Sequence, residues 1–126
     1  MIVKHGLIPN VNLPFVSKGW GWEFWICNSE KYCGKILFLK KGKKLSWHYH
    51  KLKDETFYVQ DGEVVVSYGF DDDLNVADTV HLKPGDVFYV PTGLRHRLQG
   101  FLIGLLIKSV SMSPALVVCC LDGPLR

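Results

Sequence analysis

The sequence predicts an all-β protein, a sandwich or barrel built from many short strands. Three observations predict it. Strand-like segments follow one another from Gly34 onward, each rich in β-branched and aromatic residues. Gly, Asp, Asn or Pro separates them at short intervals. No stretch carries the helical period over a useful length, and no repeat or low-complexity linker interrupts the pattern. With 126 residues, 48% of them hydrophobic, the chain is long enough to bury one core, and it reads as a single domain over residues 1–126.

Taken in order, residues 1–18 contain two prolines and little periodicity, which predicts an arm or edge strand. In GWGWEFWICNSEKYCG, Trp20, Trp22 and Phe24 share one parity while Glu23 and Trp25 share the other. That predicts a strand with one strongly apolar face, used for core or subunit packing rather than for stacking sugars. Asn28, Ser29 and Glu30 supply a turn. KILFLK then leads into a lysine-rich turn, with Lys40, Lys41, Lys43 and Lys44 in solvent. The next expected strands are SWHYH, ETFYVQ, EVVVSYG, DTVHL, DVFYVP and FLIGLLI. FLIGLLI and ALVVCCL are too apolar to be exposed edges, so they should be barrel strands or pack on a second copy.

Composition excludes several function classes. A formal net charge of +3 is too small to argue for nucleic acid, and no aromatics interleave with the lysines to make a binding surface. No apolar run is long enough to span a membrane, and MIVKHGLIPN does not read as a secretory signal. The cysteines at 27, 33, 119 and 120 match no zinc knuckle, so reduced thiols and a cytoplasmic location are expected. A Cys27–Cys33 bridge across a hairpin is the alternative. Asp71, Asp73 and Asn75 suggest a calcium loop, but Val76 and Leu82 stand where its glycine and glutamate belong, so a solvated turn is expected.

The chemistry concentrates in GKKLSWHYHKLKDETFYVQDG, residues 42–62. In a strand, His48 and His50 point to the same face, and Glu55 can join them from the next strand. Two imidazoles and a carboxylate make most of a transition-metal site. In GDVFYVPTGLRHRLQG, residues 85–100, Pro91 and Gly93 break a strand and His96 starts the return. If His96 faces inward it completes three imidazoles and one carboxylate, with positions left open for water or substrate.

These two stretches resemble the paired motifs of the cupin superfamily. The first, G-x5-H-x-H-x4-E-x6-G, is met at Gly42, His48, His50, Glu55 and Gly62. The second, G-x5-P-x-G-x2-H-x3-N, is met at Gly85, Pro91, Gly93 and His96 and departs at Gly100, where the motif has Asn. The resemblance is strongest over residues 35–100 and implies a double-stranded β-helix, a jelly-roll barrel with core 35–110. It also implies His48, His50, Glu55 and His96 as ligands of one divalent transition metal, with Zn, Mn, Fe, Co and Ni not distinguished.

Within the superfamily the chain is similar to cupin-type phosphomannose isomerases and related sugar isomerases. The similarity lies in Trp20-Gly21, the strand from Lys35 to Gly42, Leu45-Ser46, and Pro91 through Leu98. It implies a homodimer acting on a small-molecule substrate, a sugar or sugar phosphate, with the metal as Lewis acid. Lys35 shares parity with Leu37 and Leu39, so it is expected to point inward as the catalytic acid or base. Arg95, in the turn before His96, is the candidate phosphate ligand, and Tyr58 a candidate pocket residue. An Fe(II) dioxygenase and a non-catalytic small-molecule-binding cupin remain alternatives for the same ligand set.

Overall fold

The computed structural model describes residues 14–101 and 115–122. Among the described residues, nine strands form two antiparallel sheets: β1 (Phe15–Lys18), β2 (Gly21–Asn28), β3 (Tyr32–Leu39), β4 (Glu55–Asp61), β5 (Val64–Gly69), β6 (Asp78–Leu82), β7 (Val87–Val90), β8 (Arg95–Gly100) and β9 (Ala115–Asp122). The larger sheet runs β1-β2-β3-β9-β4-β7 and the smaller β6-β5-β8. Apart from the strands there is one 3-10 turn at Leu74–Val76, and no helix among the described residues is long and apolar enough to cross a membrane. This is the all-β architecture expected from the strand pattern, in the jelly-roll form that the cupin resemblance implies.

Alternation along the strands decides what faces inward. On β3, Cys33, Lys35, Leu37 and Leu39 are buried; on β4, Glu55, Phe57 and Val59; on β9, Ala115, Val117, Cys119 and Leu121. With Val64, Val66, Leu82, Val90, Leu94 and Leu98 these aliphatics make one core between the sheets. Each fully buried Leu or Val is worth about 1.5–3 kcal/mol relative to exposure, which is what holds two short-stranded sheets together. ALVVCCL is therefore a barrel strand, as its apolarity required. It lies beyond the expected 35–110 core and yet sits between β3 and β4.

Two expectations need correction. SWHYH is not a regular strand: residues 41–48 run beside β8 through isolated bridges Lys41–Gly100, Lys44–Gln99 and His48–His96. The tryptophans do not share a face. Trp20 lies in the turn before β2 and packs on the core, whereas Trp22 stacks on Phe38 at 5.2 Å on the outer face, with Phe15 and Phe24 beside it. Glu23, not the aromatic set, is the buried side chain of β2, with Gly21 buried on the same parity. The four cysteines are all free thiols, as expected, and the alternative Cys27–Cys33 bridge is absent.

Phe15–Lys18 of the expected arm forms the edge strand β1, while residues 1–13 of that arm and most of FLIGLLI lie outside the described residues. In the acidic turn, Asp71 and Asp73 accept hydrogen bonds from the backbone N–H groups of Asp73 and Asn75, at 2.8 and 2.9 Å. Those carboxylates are capping their own turn.

Candidate metal centre

His48 and His96 are brought together by the main chain. The His96 N–H donates to the His48 carbonyl at 2.9 Å and the His48 N–H to the His96 carbonyl at 3.3 Å. Such a reciprocal pair holds two side chains on the same side of the sheet. His50 follows two residues after His48, and its carbonyl accepts the Gly93 N–H at 2.9 Å. Gly93 needs its φ of 87° for the tight turn that returns the chain into β8. Glu55 enters at the first position of β4. Ligand atoms of His48, His50 and His96 all lie within 4.8 Å of one another.

The hydrogen bonding sorts the nitrogens. Nδ1 of His48 lies 2.9 Å from the Ser46 carbonyl and Nδ1 of His96 lies 3.0 Å from the Leu94 carbonyl. A carbonyl only accepts, so both Nδ1 atoms carry protons, and in the neutral ring Nε2 presents the lone pair. His96 Nε2 then faces Glu55 Oε1 at 3.1 Å. Two acceptors at that distance require a positive charge between them, either a second proton on His96 or a metal ion. His50 Nε2 lies 3.6 Å from the same oxygen, an ion-pair distance but too long for a hydrogen bond, and it is buried without a partner. A buried orphan nitrogen, two oriented lone pairs and a carboxylate are the donor set that a divalent transition metal takes, so the residues present fit such an ion.

The electrostatics agree. Burial pushes the His48 imidazole below its ordinary pKa, outweighing the Ser46 carbonyl, and the neighbouring imidazoles add to the effect. His48 is thus held neutral, as a ligand must be. For Glu55, burial acts to raise the carboxyl pKa, but His50, His96 and the Cys119 thiol overcome it and hold the group well below the usual carboxylate range. Burial also pushes the Cys119 thiol well up, aided by the nearby Glu55 charge.

A cavity of about 240 Å³ opens over these groups, lined by His48, His50, Glu55 and His96 on one side and by Lys35, Glu23, Lys18 and Trp20 on another. Lys35 does point inward. Its Nζ lies 3.5 Å from Glu23 Oε1, and the Trp25 indole N–H donates to Glu23 Oε2 at 2.8 Å.

Arg95 and Tyr58 are not brought to this cavity. The Arg95 guanidinium donates to Asp72 at 2.8 Å and to the Gly93 carbonyl at 2.9 Å, and stacks over the Tyr49 ring at 3.9 Å. Tyr58 follows the inward Phe57 and so faces out. Sequence reasoning missed Glu23 and Cys119. The signal for Glu23 was its parity opposite Trp22 and Phe24, and for Cys119 its parity with Val117 and Leu121.

The comparisons with known proteins bear on this barrel. No curated protein sequence matches the chain. Among solved structures, KdgF from Halomonas sp. superposes with a TM-score of 0.69 at 17% identity, covering 90% of this chain and 89% of that one. The capsular polysaccharide assembling protein CapF from Staphylococcus aureus gives a TM-score of 0.74 at 15% identity, over 93% of this chain and 32% of its own. Bacillus subtilis oxalate decarboxylase gives 0.69 at 21%, over 95% of this chain and 31% of its own, and that enzyme has Mn(II) centres. The chain thus spans about a third of the length of these last two, and at such identities the likeness is one of fold. The cupin domain model matches residues 36–100, which contain every residue of the three-imidazole cluster and Glu55. With that match over half of its length, on a jelly-roll of this topology, the chain belongs to the cupin family.

Proposed function

We propose that the protein is a metal-dependent sugar or sugar-phosphate isomerase or epimerase. It would move a proton on the carbon next to a substrate carbonyl. One observation carries this reading: the buried polar or charged side chains among the described residues, Glu23, Lys35, Glu55 and His96, all line the same cavity. Burying charge costs free energy, and stability alone gives no reason to gather it around one void.

A divalent ion held by His48, His50, Glu55 and His96 would supply Lewis acidity toward the substrate's oxygens. Lys35 would take the proton from carbon as the neutral amine and return it as the ammonium so formed, with Glu23, itself fixed by Trp25, orienting the group. Trp20, Leu37, Leu45, Phe57 and Leu98 give the cavity apolar walls, which exclude water and strengthen each charge interaction inside. Arg95 is committed to Asp72, so an anionic substrate group would meet Lys18 instead. A void of about 240 Å³ holds on the order of eight waters at ~30 Å³ each, which limits the substrate to a small molecule.

We also propose that two copies pair through the outer face of the larger sheet. Phe15, Phe24, Ile36, Val118, Tyr58 and Val87 stand at successive register positions across all six strands. Phe15, Tyr58 and Val87 are exposed, and a contiguous apolar band is the kind of surface that association covers.

The test is metal analysis of the purified protein followed by turnover on a panel of aldoses and their phosphates. Isomerisation by the wild type and none by Lys35→Met supports the reading. Oxygen uptake without isomerisation would move the assignment to an iron dioxygenase, and tight binding without turnover to a sensor.

A further inference from the structure

We infer that Cys119 belongs to the metal centre as the hydrogen-bond donor that positions Glu55, so that the carboxylate meets the ion through Oε1 alone. The inference rests on the assignment of His48, His50, Glu55 and His96 as ligands. It concerns a residue that neither cupin motif contains.

The two oxygens of Glu55 have different surroundings. Oε1 faces the imidazoles, 3.1 Å from His96 Nε2 and 3.6 Å from His50 Nε2. Oε2 turns the other way and accepts the Cys119 S–H at 3.0 Å. The sheet register creates this contact. Glu55 pairs with Leu121 across β4 and β9, and Cys119 lies two residues along β9 on the same inward face. Diagonal neighbours of that kind are within reach of a side chain as long as glutamate.

Cys119 is fully buried and Glu55 is only 4% exposed, so water does not compete for Oε2. Without the thiol, one carboxylate oxygen would be left buried and unpaired, at a cost of about 1–3 kcal/mol or more for a charged group. The carboxylate would relieve that cost by rotating toward the imidazoles or away from them, and either motion spoils the ligand geometry. Cys119 reaches the cluster only through Glu55: its thiol donates to Oε2, the oxygen turned away from the imidazoles, while Oε1 faces them. The thiol donates to a ligand, and such partners commonly change metal affinity 10- to 100-fold when removed.

The experiment titrates the full-length, metal-free protein with Mn(II) and with Co(II), following heat of binding and the cobalt absorption spectrum. Cys119→Ala is expected to weaken Mn(II) binding roughly 10- to 100-fold. Cys119→Ser, which keeps a donor at nearly the same place, is expected to restore most of it. Cys33→Ala, another buried cysteine removed from β3, serves as the packing control and should leave the affinity unchanged. If Cys119→Ala binds Mn(II) as tightly as wild type, or if Cys33→Ala loses as much, the positioning role is wrong. A thiolate-to-cobalt charge-transfer band that disappears in Cys119→Ser would make Cys119 a direct ligand and overturn the inference in that way. Failure of the wild type itself to take up either ion would overturn the metal centre, and this inference with it.

Discussion

His48 and His96 bond to each other through their main chains in both directions, and their rings stand 4.5 Å apart in consequence. The candidate ligands are thus set by backbone pairing rather than by side-chain contacts alone. The pairing continues to the far end of the same segment, where the Gly42 N–H donates to the Gly100 carbonyl at 3.0 Å and the Gly100 N–H to the Lys43 carbonyl at 2.9 Å.

Gly100 explains why this chain departs from the second cupin motif. A Cβ there would stand 2.4 Å from the Lys40 carbonyl oxygen, a backbone atom that cannot swing aside. Restoring the motif residue with Gly100→Asn should therefore destabilise the protein, by about 1–3 kcal/mol or more. Urea unfolding followed by tryptophan fluorescence measures it; equal or greater stability than wild type would refute the close-approach argument.

Lys35 and Glu23 carry a prediction with two readouts. Lys35→Met should lower isomerase turnover at least ~100-fold, the lower bound for loss of a positioned acid–base group, while leaving metal content unchanged. It should also cost stability, on the order of 3–5 kcal/mol, because Glu23 is left buried and charged without its cation. Adding Glu23→Gln should recover much of that stability and none of the activity. Recovery of activity in the double variant would show that Lys35 is structural.

The thiols separate by depth. Burial pushes the Cys33 and Cys119 thiols up from their ordinary range, which lowers the reactive thiolate fraction as well as access. Iodoacetamide at neutral pH should spare Cys33 and Cys119 while labelling half-buried Cys27 and, wherever a second copy does not cover the outer face of the larger sheet, Cys120. Peptide mass mapping over time reads the order, and early labelling of Cys119 would contradict the placement of β9.

The proposed pairing face is open to a single substitution. Tyr58→Lys puts a charge in the six-strand apolar band, on its fifth strand, without touching the core. A shift from dimer to monomer in light scattering is expected. An unchanged molar mass would mean that this band is not where copies meet.

Most of the barrel was legible because period-two alternation is a local signal. It put Lys35 inward with Leu37 and Leu39, and it made β9 a strand from apolarity alone. The site's four candidate ligands were legible because their spacing survives in sequence even where the strand does not: SWHYH is irregular, yet both histidines converge. Alternation does not say which of two faces is inside, so it leaves the apolar face of β2 open between core and subunit packing and gives no sign that Glu23 is buried. Nor does it cross a turn, which is why Trp20 and Trp22 part company. Contacts between strands distant in sequence, such as Cys119 with Glu55 or Arg95 with Asp72, exist only once the sheets are assembled.

The central claim is that His48, His50, Glu55 and His96 hold one divalent metal ion. It is tested most directly by metal content, measured by mass spectrometry on the folded wild type, His50→Ala and Glu55→Ala after equilibration with equal Mn(II). The account predicts about one ion per wild-type chain and a loss in each variant greater than the 10- to 100-fold affinity change typical of an outer partner, with circular dichroism showing the barrel intact. Full occupancy in both variants would contradict it.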